Sequence, residues 1–207
     1  MIIEPKVREF ICTTAHPDGC RENVMKQIEY TKKLGSTTGP KKVLIIGSST
    51  GYGLASRITA AYGSNASTLG IMFEKPATPP RRTATPGWYN TKAFEEIAQA
   101  DGYYAKTING DAFSEKIKLE TIDMIKKELG KIDMDVYSLA APRRTPADGT
   151  VYSSTLNTVQ PDFTNQSLNL KDNTISEATL PPASEEEVQA TAKVMGGQVR
   201  MDRITAL

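Results

Sequence analysis

The chain has 207 residues, 39% hydrophobic and 24% charged, which suits one substantial core and is too ordered in composition for a disordered tail. Lysine and arginine number 25 against 24 acids, a formal charge of +1, so no global field favours a polyanion and nucleic acid is not expected as a partner. The best apolar run, Val43 to Gly47, falls far short of the roughly 18 to 20 residues a membrane helix needs, and Met1-Ile-Ile-Glu-Pro5 is not a secretory leader, so no membrane span and a cytoplasmic location are expected.

Val7 to Thr13 reads as a short strand and Arg21 to Leu34 as a helix, with Val24, Ile28 and either Tyr30 or Thr31 on one side. Between them lie Cys12, His16 and Cys20. A closed zinc site wants four ligands, and no fourth is near, so these residues are expected to shape a turn, with no metal and no disulfide. His16 is the only histidine and no GxSxG elbow accompanies it, which sets aside a Ser-His-Asp hydrolase. Gly35 to Pro40 is a loop.

Lys41-Lys-Val-Leu-Ile-Ile-Gly47 is an apolar run bounded by charge and glycine, as in a strand buried on both faces of a parallel sheet. Leu54 to Tyr62 follows as a helix and Thr68 to Glu74 as the next strand. A proline-rich loop, Pro76 to Pro86, leads to a helix over Thr91 to Ala100, and Tyr103 to Ile108 is a third strand. Ser114 caps a long helix to Leu129, stopped by Gly130, and Ile132 to Leu139 is a fourth strand. Strand and helix alternate at spacings near thirty residues, the arithmetic of βαβ units in an α/β, doubly wound parallel sheet.

Beyond Pro142 the order fades. Thr150 to Pro182 suits loops or short hairpins, and Ser184 with Glu187 forms a capping box for a helix reaching Gly197. Six acids against two bases make Val151 to Gly197 acidic, while Met1 to Lys42, with eight bases and five acids, is basic; both read as solvated faces.

Gly47-Ser48-Ser49-Thr50-Gly51-Tyr52-Gly53 sits between the first parallel strand and its helix. Glycine suits a sharp turn where phosphates approach the backbone too closely for a Cβ, and the helix's first amides then meet negative charge. Glu74, at the end of the next strand, completes a dinucleotide fingerprint: its carboxylate would accept hydrogen bonds from ribose hydroxyls and repel a 2′-phosphate, which favours NADH. Lys75, Arg81 and Arg82 could soften that preference. Asp111 and Ala112 follow the third strand, and Leu139 and Ala140 end the fourth, all at the same carboxyl edge, although Asp111 reads equally well as a loop cap. No GK[ST] follows the glycines, so a nucleotide triphosphatase lacks its lysine.

The stretches Phe10-Ile-Cys-Thr-Thr-Ala-His-Pro17, Gly47-Ser-Ser-Thr-Gly-Tyr-Gly-Leu-Ala-Ser-Arg57, Gly87-Trp-Tyr-Asn90, Asn109-Gly-Asp-Ala-Phe-Ser114, Val136-Tyr-Ser-Leu-Ala-Ala-Pro-Arg-Arg144 and Val194-Met-Gly-Gly197 resemble the monomeric trans-2-enoyl-CoA and enoyl-acyl-carrier-protein reductases, relatives of the short-chain dehydrogenases. The resemblance implies a Rossmann-type sheet, truncated relative to that family, and a monomeric complete enzyme. It implies NADH-dependent reduction of the trans-2 double bond of an enoyl-CoA or enoyl-acyl-carrier-protein thioester in fatty acid synthesis. Hydride would reach the β-carbon and a proton the α-carbon, with a tyrosine hydroxyl stabilising the enolate. Cofactor contacts then fall on Gly47, Ser48, Ser49, Thr50, Gly51, Tyr52, Phe73, Glu74, Asp111, Ala112, Leu139 and Ala140.

The family's catalytic tyrosine and the lysine nine positions later belong to a region beyond Gly197. None of the eight tyrosines here has a lysine four, seven or nine residues downstream. Tyr52 and Tyr137 are better read as packing around the sheet edge. The expected organisation is an N-terminal extension over 1–40, a dinucleotide-binding core over 41–145, a loop-rich acidic segment with a helix over 146–197 and a divergent tail over 198–207. The leading expectation is the cofactor half of a longer reductase; the alternative is a non-catalytic dinucleotide-binding module.

Overall fold

In a computed structural model of the chain, Val43 to Ile46 is fully buried at the centre of a four-stranded parallel sheet. Residues 2–8, 11–79, 82–139, 143–145, 149–155, 157–159 and 161–195 are described, in two compact units, Met1–Leu139 and Ala140–Leu207.

The first unit runs β1 (Val7–Arg8), β2 (Ile11–Cys12), α1 (Pro17–Leu34), β3 (Lys42–Ile46), α2 (Gly51–Ser64), β4 (Ser67–Met72), α3 (Pro86–Ala100), β5 (Ala105–Asn109), α4 (Glu115–Met124) and β6 (Met134–Tyr137). The sheet order is β5-β4-β3-β6, with Ile46 level with Ile71 on one side and Tyr137 on the other. The first strand of the set thus lies between the second and the fourth, which is the doubly wound, Rossmann-type arrangement expected from the alternating elements. The order reverses between β3 and β6, and in such sheets ligands bind outside the strand carboxyl ends at that reversal.

Helices α1, α2 and α3 build the core over the sheet through Val24, Ile28, Leu54, Ile58, Ala61, Phe94 and Ala98, joined by Ala105 of β5. Arg57 is buried among them without exposure. Its Nη1 donates to Thr107 Oγ1 at 2.7 Å, Nη2 to Lys106 O at 2.7 Å and Nε to Thr68 Oγ1 at 3.3 Å, while the guanidinium lies 4.7 Å from the Phe94 ring centre. Nη2 also pairs with Glu95 at 3.9 Å. Burial pulls the Arg57 pKa down to about 10, opposed by Glu95, which leaves it charged at neutral pH. One cation thereby ties α2 and α3 to two strands.

Several expected boundaries move. The single strand over Val7 to Thr13 is instead a small antiparallel pair, Val7 opposite Cys12 and Arg8 opposite Ile11, because so short a run around charged Arg8 has no buried face to hold it straight. Helix α1 begins at Pro17 rather than Arg21: His16 is its N-cap, with Nδ1 accepting from Gly19 N–H at 3.4 Å, and proline suits the first helical position. Thr31 rather than Tyr30 faces inward. Pro86 likewise opens α3 five residues before Thr91, and α2 starts at Gly51 rather than Leu54. Ser114 caps α4 through Ile117 N–H at 3.3 Å, but the expected helix to Leu129 widens into a π-helical turn over Ile125–Leu129. Gly130 N–H donates to Ile125 O at 2.7 Å there, five residues back.

The second unit contains β7 (Arg143–Arg144) paired with β8 (Tyr152–Ser153), the hairpin β9 (Phe163–Asn169) and β10 (Thr174–Leu180), and α5 (Glu185–Met195). The capping box forms in both directions: Glu187 N–H donates to Ser184 Oγ at 3.2 Å and Ser184 N–H to Glu187 Oε2 at 2.9 Å. Residues 198–207, expected as a divergent tail, lie outside the described residues. Among the described residues, no helix is long and apolar enough to cross a membrane.

Candidate functional site

The turn leaving β3 is built from backbone contacts that only glycine permits. Gly47 has φ +88°, and a Cβ there would stand 2.0 Å from Ser138 O. A Cβ on Gly53 would stand 1.9 Å from Gly47 O. The chain therefore folds flat against its own next turn. Gly47 and Ser48 N–H both donate to Ile71 O, at 2.9 and 3.0 Å, which fixes the loop to the end of β4.

That geometry leaves the start of α2 open. Leu54 N–H makes the first helical bond, to Thr50 O at 3.1 Å, so the amides of Gly51, Tyr52 and Gly53 precede the helical ladder. Thr50 occupies the N-cap position without a side-chain cap bond, and the first turn carries no acid. Dipole and amides together favour an anion there. Gly51 is exposed with φ +53°, and among the described residues nothing beyond its chain neighbours and its own helix backbone lies within 4 Å of where its Cβ would be.

The other expected residues line up along the same edge with different tasks. Ser48 is fully buried and its Oγ donates to Ile71 O at 3.2 Å, so its side chain supports the turn. Ser49 Oγ donates to Glu74 Oε1 at 2.6 Å. Tyr52 and Phe73 are largely exposed, at 88% and 74%. Asp111 caps the turn before α4: its Oδ1 accepts from Phe113 N–H at 2.9 Å and its carbonyl accepts from Ser114 Oγ at 2.7 Å. Ala112 is buried, and Leu139 packs beside Gly47. Ala140 lies outside the described residues.

Three residues beside Glu74 carry a part that sequence reasoning did not assign. Asn109 binds the Glu74 backbone, Asn90 Nδ2 donates to Ser49 O at 3.2 Å, and Gly87 lets the start of α3 close on the Glu74 carboxylate. An asparagine on the last position of a parallel strand, next to a proposed ribose carboxylate, was the available signal. Away from this edge, Cys12 and Cys20 are free thiols; hydrogen bonding with Thr14 lowers the pKa of the first and burial raises that of the second. Among the described residues, no three metal-ligating side chains come together.

A reversal-point glycine turn, an open helix N-terminus and an adjacent carboxylate define a dinucleotide-type α/β unit. Residues 2–79 match the family model described as the NAD(P)H binding domain of trans-2-enoyl-CoA reductase, and residues 82–207 match the trans-2-enoyl-CoA reductase catalytic region. The chain belongs to the trans-2-enoyl-CoA reductase family. It is 54% identical over 199 residues to the trans-2-enoyl-CoA reductase [NADH] of Ruminiclostridium cellulolyticum, covering 96% of this chain and 50% of that protein. It is 56% identical over 200 residues to the enoyl-[acyl-carrier-protein] reductase [NADH] of Erwinia tasmaniensis, with the same coverage of 96% and 50%. The crystal structure of Clostridium acetobutulicum trans-2-enoyl-CoA reductase in complex with NADH superimposes with a TM-score of 0.90 at 44% identity, over 100% of this chain and 52% of that one. The chain spans about half the length of the curated relatives it matches.

Proposed function

We propose that this chain forms the NADH-binding portion of an enoyl-thioester reductase. The observation that carries the reading is the glycine turn, where Gly47 and Gly53 exclude Cβ atoms and leave the first amides of α2 open beside Glu74. Those amides and Thr50 would hold the pyrophosphate, and Glu74 the adenosine ribose. When bound, the dinucleotide supplies a hydride for the β-carbon of the enoyl thioester. Gly47, Ser49, Gly51 and Glu74 orient and bind; Tyr52 and Phe73 offer apolar surface at the rim. Asp111, Ala112 and Leu139 are proposed as the remaining wall of the cofactor seat.

The substrate proposed is the thioester of CoA or of an acyl carrier protein, as in the names of the relatives. Free thiols at Cys12 and Cys20 support a reducing, cytoplasmic setting. The family resemblance supports a monomeric complete enzyme. No tyrosine here carries a lysine at the expected spacing, so this chain contributes binding and not the proton-donating pair. That same observation favours, as a second reading, a dinucleotide-binding module without turnover.

The test is a fluorescence titration with NADH followed by NADH absorbance in the presence of crotonyl-CoA, on material of verified mass 22.6 kDa. Saturable NADH binding without turnover is expected. Failure to bind NADH overturns the reading, and turnover would place the proton donor within these 207 residues.

A further inference from the structure

Glu74 lies beyond the end of β4, where a glutamate would ordinarily swing freely, yet it is held on three sides. Its backbone is gripped by the Asn109 side-chain amide: Glu74 N–H donates to Oδ1 at 2.9 Å, and Nδ2 donates to Glu74 O at 3.0 Å. The last main-chain pair of β4 and β5 is Met72 with Asn109, so this amide continues the ladder after the two backbones part. Ser49 grips the carboxylate, with Oγ at 2.6 Å from Oε1. Ser49 is itself buried, and Asn90 fixes its carbonyl at 3.2 Å. On the third side stands Gly87, where a Cβ would lie 2.0 Å from Glu74 Oε1 and 2.8 Å from Ser49 Cβ. One carboxylate oxygen is thereby committed, and Oε2 has no hydrogen-bond partner among the described residues.

We propose that Asn109 and Ser49 are positioning residues that set the preference for NADH over NADPH by holding Glu74 with one carboxylate oxygen free. The inference rests on the assignment of this edge as the adenosine-ribose site. A carboxylate on a mobile side chain can turn away and admit a 2′-phosphate; one fixed at both backbone and Oε1 cannot. Selectivity is therefore a property of the Asn109–Glu74–Ser49 set. Each grip acts on discrimination between the two cofactors, because the free oxygen accepts from a ribose hydroxyl and repels a phosphate at the same position.

The experiment measures dissociation constants for NADH and NADPH by fluorescence titration of the full 207-residue chain and of N109A, S49A, E74A and the double variant N109A/E74A. S49A removes a hydroxyl whose one hydrogen bond among the described residues is to Glu74, so it remains informative where N109A disturbs the fold. Expected is a fall of roughly tenfold in the NADPH-to-NADH ratio for N109A and for S49A, the scale of losing one charge-assisted or two neutral hydrogen bonds. In the E74A background the Asn109 effect on that ratio should vanish. A wild-type chain that binds neither nucleotide overturns the site reading and this inference with it. NADH binding with equal weakening of both nucleotides in N109A and S49A overturns the inference alone, as does an Asn109 effect that persists without Glu74.

Discussion

Substitution at three glycines of α2, to alanine at Gly63 and Gly53 and to valine at Gly51, separates three reasons for a glycine in one helix. At Gly63 an added Cβ would meet Thr59 Cγ2 at 3.6 Å and Thr31 Cγ2 at 3.7 Å, ordinary packing distances. Gly63→Ala gains helix propensity of about 0.5–1 kcal/mol. In a chain of this size that raises Tm by roughly 1–4 °C. At Gly53 the same Cβ would stand 1.9 Å from Gly47 O and 2.8 Å from Gly47 C, so the loop must retreat by more than an ångström, as about 3.3 Å is a close carbon-oxygen contact. It has nowhere to go, because Gly47 is itself pressed against Ser138 O. Forced overpacking costs about 1–3 kcal/mol, and backbone on both sides puts Gly53→Ala at the upper end before about 1 kcal/mol of propensity is returned. A net loss of about 2 kcal/mol lowers Tm by roughly 4–8 °C. At Gly51 the space is open but φ is +53°, so Gly51→Val pays about 1–2 kcal/mol of left-handed strain and places its side chain where the pyrophosphate is proposed. Thermal denaturation and NADH titration together distinguish the three. Gly63→Ala should be stabilised with unchanged affinity, Gly53→Ala should lose both, and Gly51→Val should lose affinity out of proportion to stability. Wild-type NADH affinity in Gly53→Ala or Gly51→Val would refute the reasoning.

Arg57→Met strands the Thr68 and Thr107 hydroxyls and the Lys106 carbonyl, leaves Glu95 with Lys92 as its ion partner, and should cost about 3–5 kcal/mol, the range for breaking a buried ion pair; an unchanged urea midpoint would count against the tie between helices and sheet. In acid, the Lys32 and Tyr62 bonds hold the Asp101 carboxyl below its ordinary value, and the Lys41 and Lys42 amides do the same for Asp133. The folded state thus binds fewer protons than the unfolded one, so this stability is complete above about pH 4 and fades as pH falls through the folded values; a urea midpoint flat from pH 6 to 3 would contradict it. In alkali the sign reverses for Tyr62 and Tyr104, whose phenols are raised by burial and then by Asp101 and Glu128 respectively. Their contribution is full below about pH 10 and lost above it, which absorbance titration of the tyrosines follows.

The sheet was legible because its two central strands are buried on both faces, and Val43 to Ile46 and Leu69 to Met72 write that as unbroken apolar runs. Helix starts were less legible where the start signal is a proline: Pro17 and Pro86 sit at first helical positions, ahead of the apolar periodicity that marked Arg21 and Thr91. The π-helical turn left no trace, since Ile125 and Leu129 are four apart and satisfy an α-helical stripe equally well. At the site, the glycines announce themselves locally, but their reasons do not: Gly47 answers to Ser138 and Gly87 to Glu74, partners far off in sequence. The Asn109 grip is invisible to any local pattern because it joins a side chain to a backbone 35 residues away. The Ser48 bond is equally non-local, since its Oγ reaches the Ile71 carbonyl 23 residues on.

Every described partner that shapes the glycine turn, from Ile71 and Glu74 through Asn90 and Asn109 to Ser138, lies within the first unit. Cofactor binding should then be decoupled from the stability of α5 in the second unit. Ser184→Ala breaks the reciprocal capping box and should destabilise α5 by about 0.5–2 kcal/mol, read as faster amide hydrogen exchange in its first turn. NADH affinity should stay at the wild-type value in the same variant. Weakened NADH binding with α5 exchange unchanged, or both changing together, would mean that the cofactor seat draws on the second unit, and that binding cannot be assigned to the sheet edge alone.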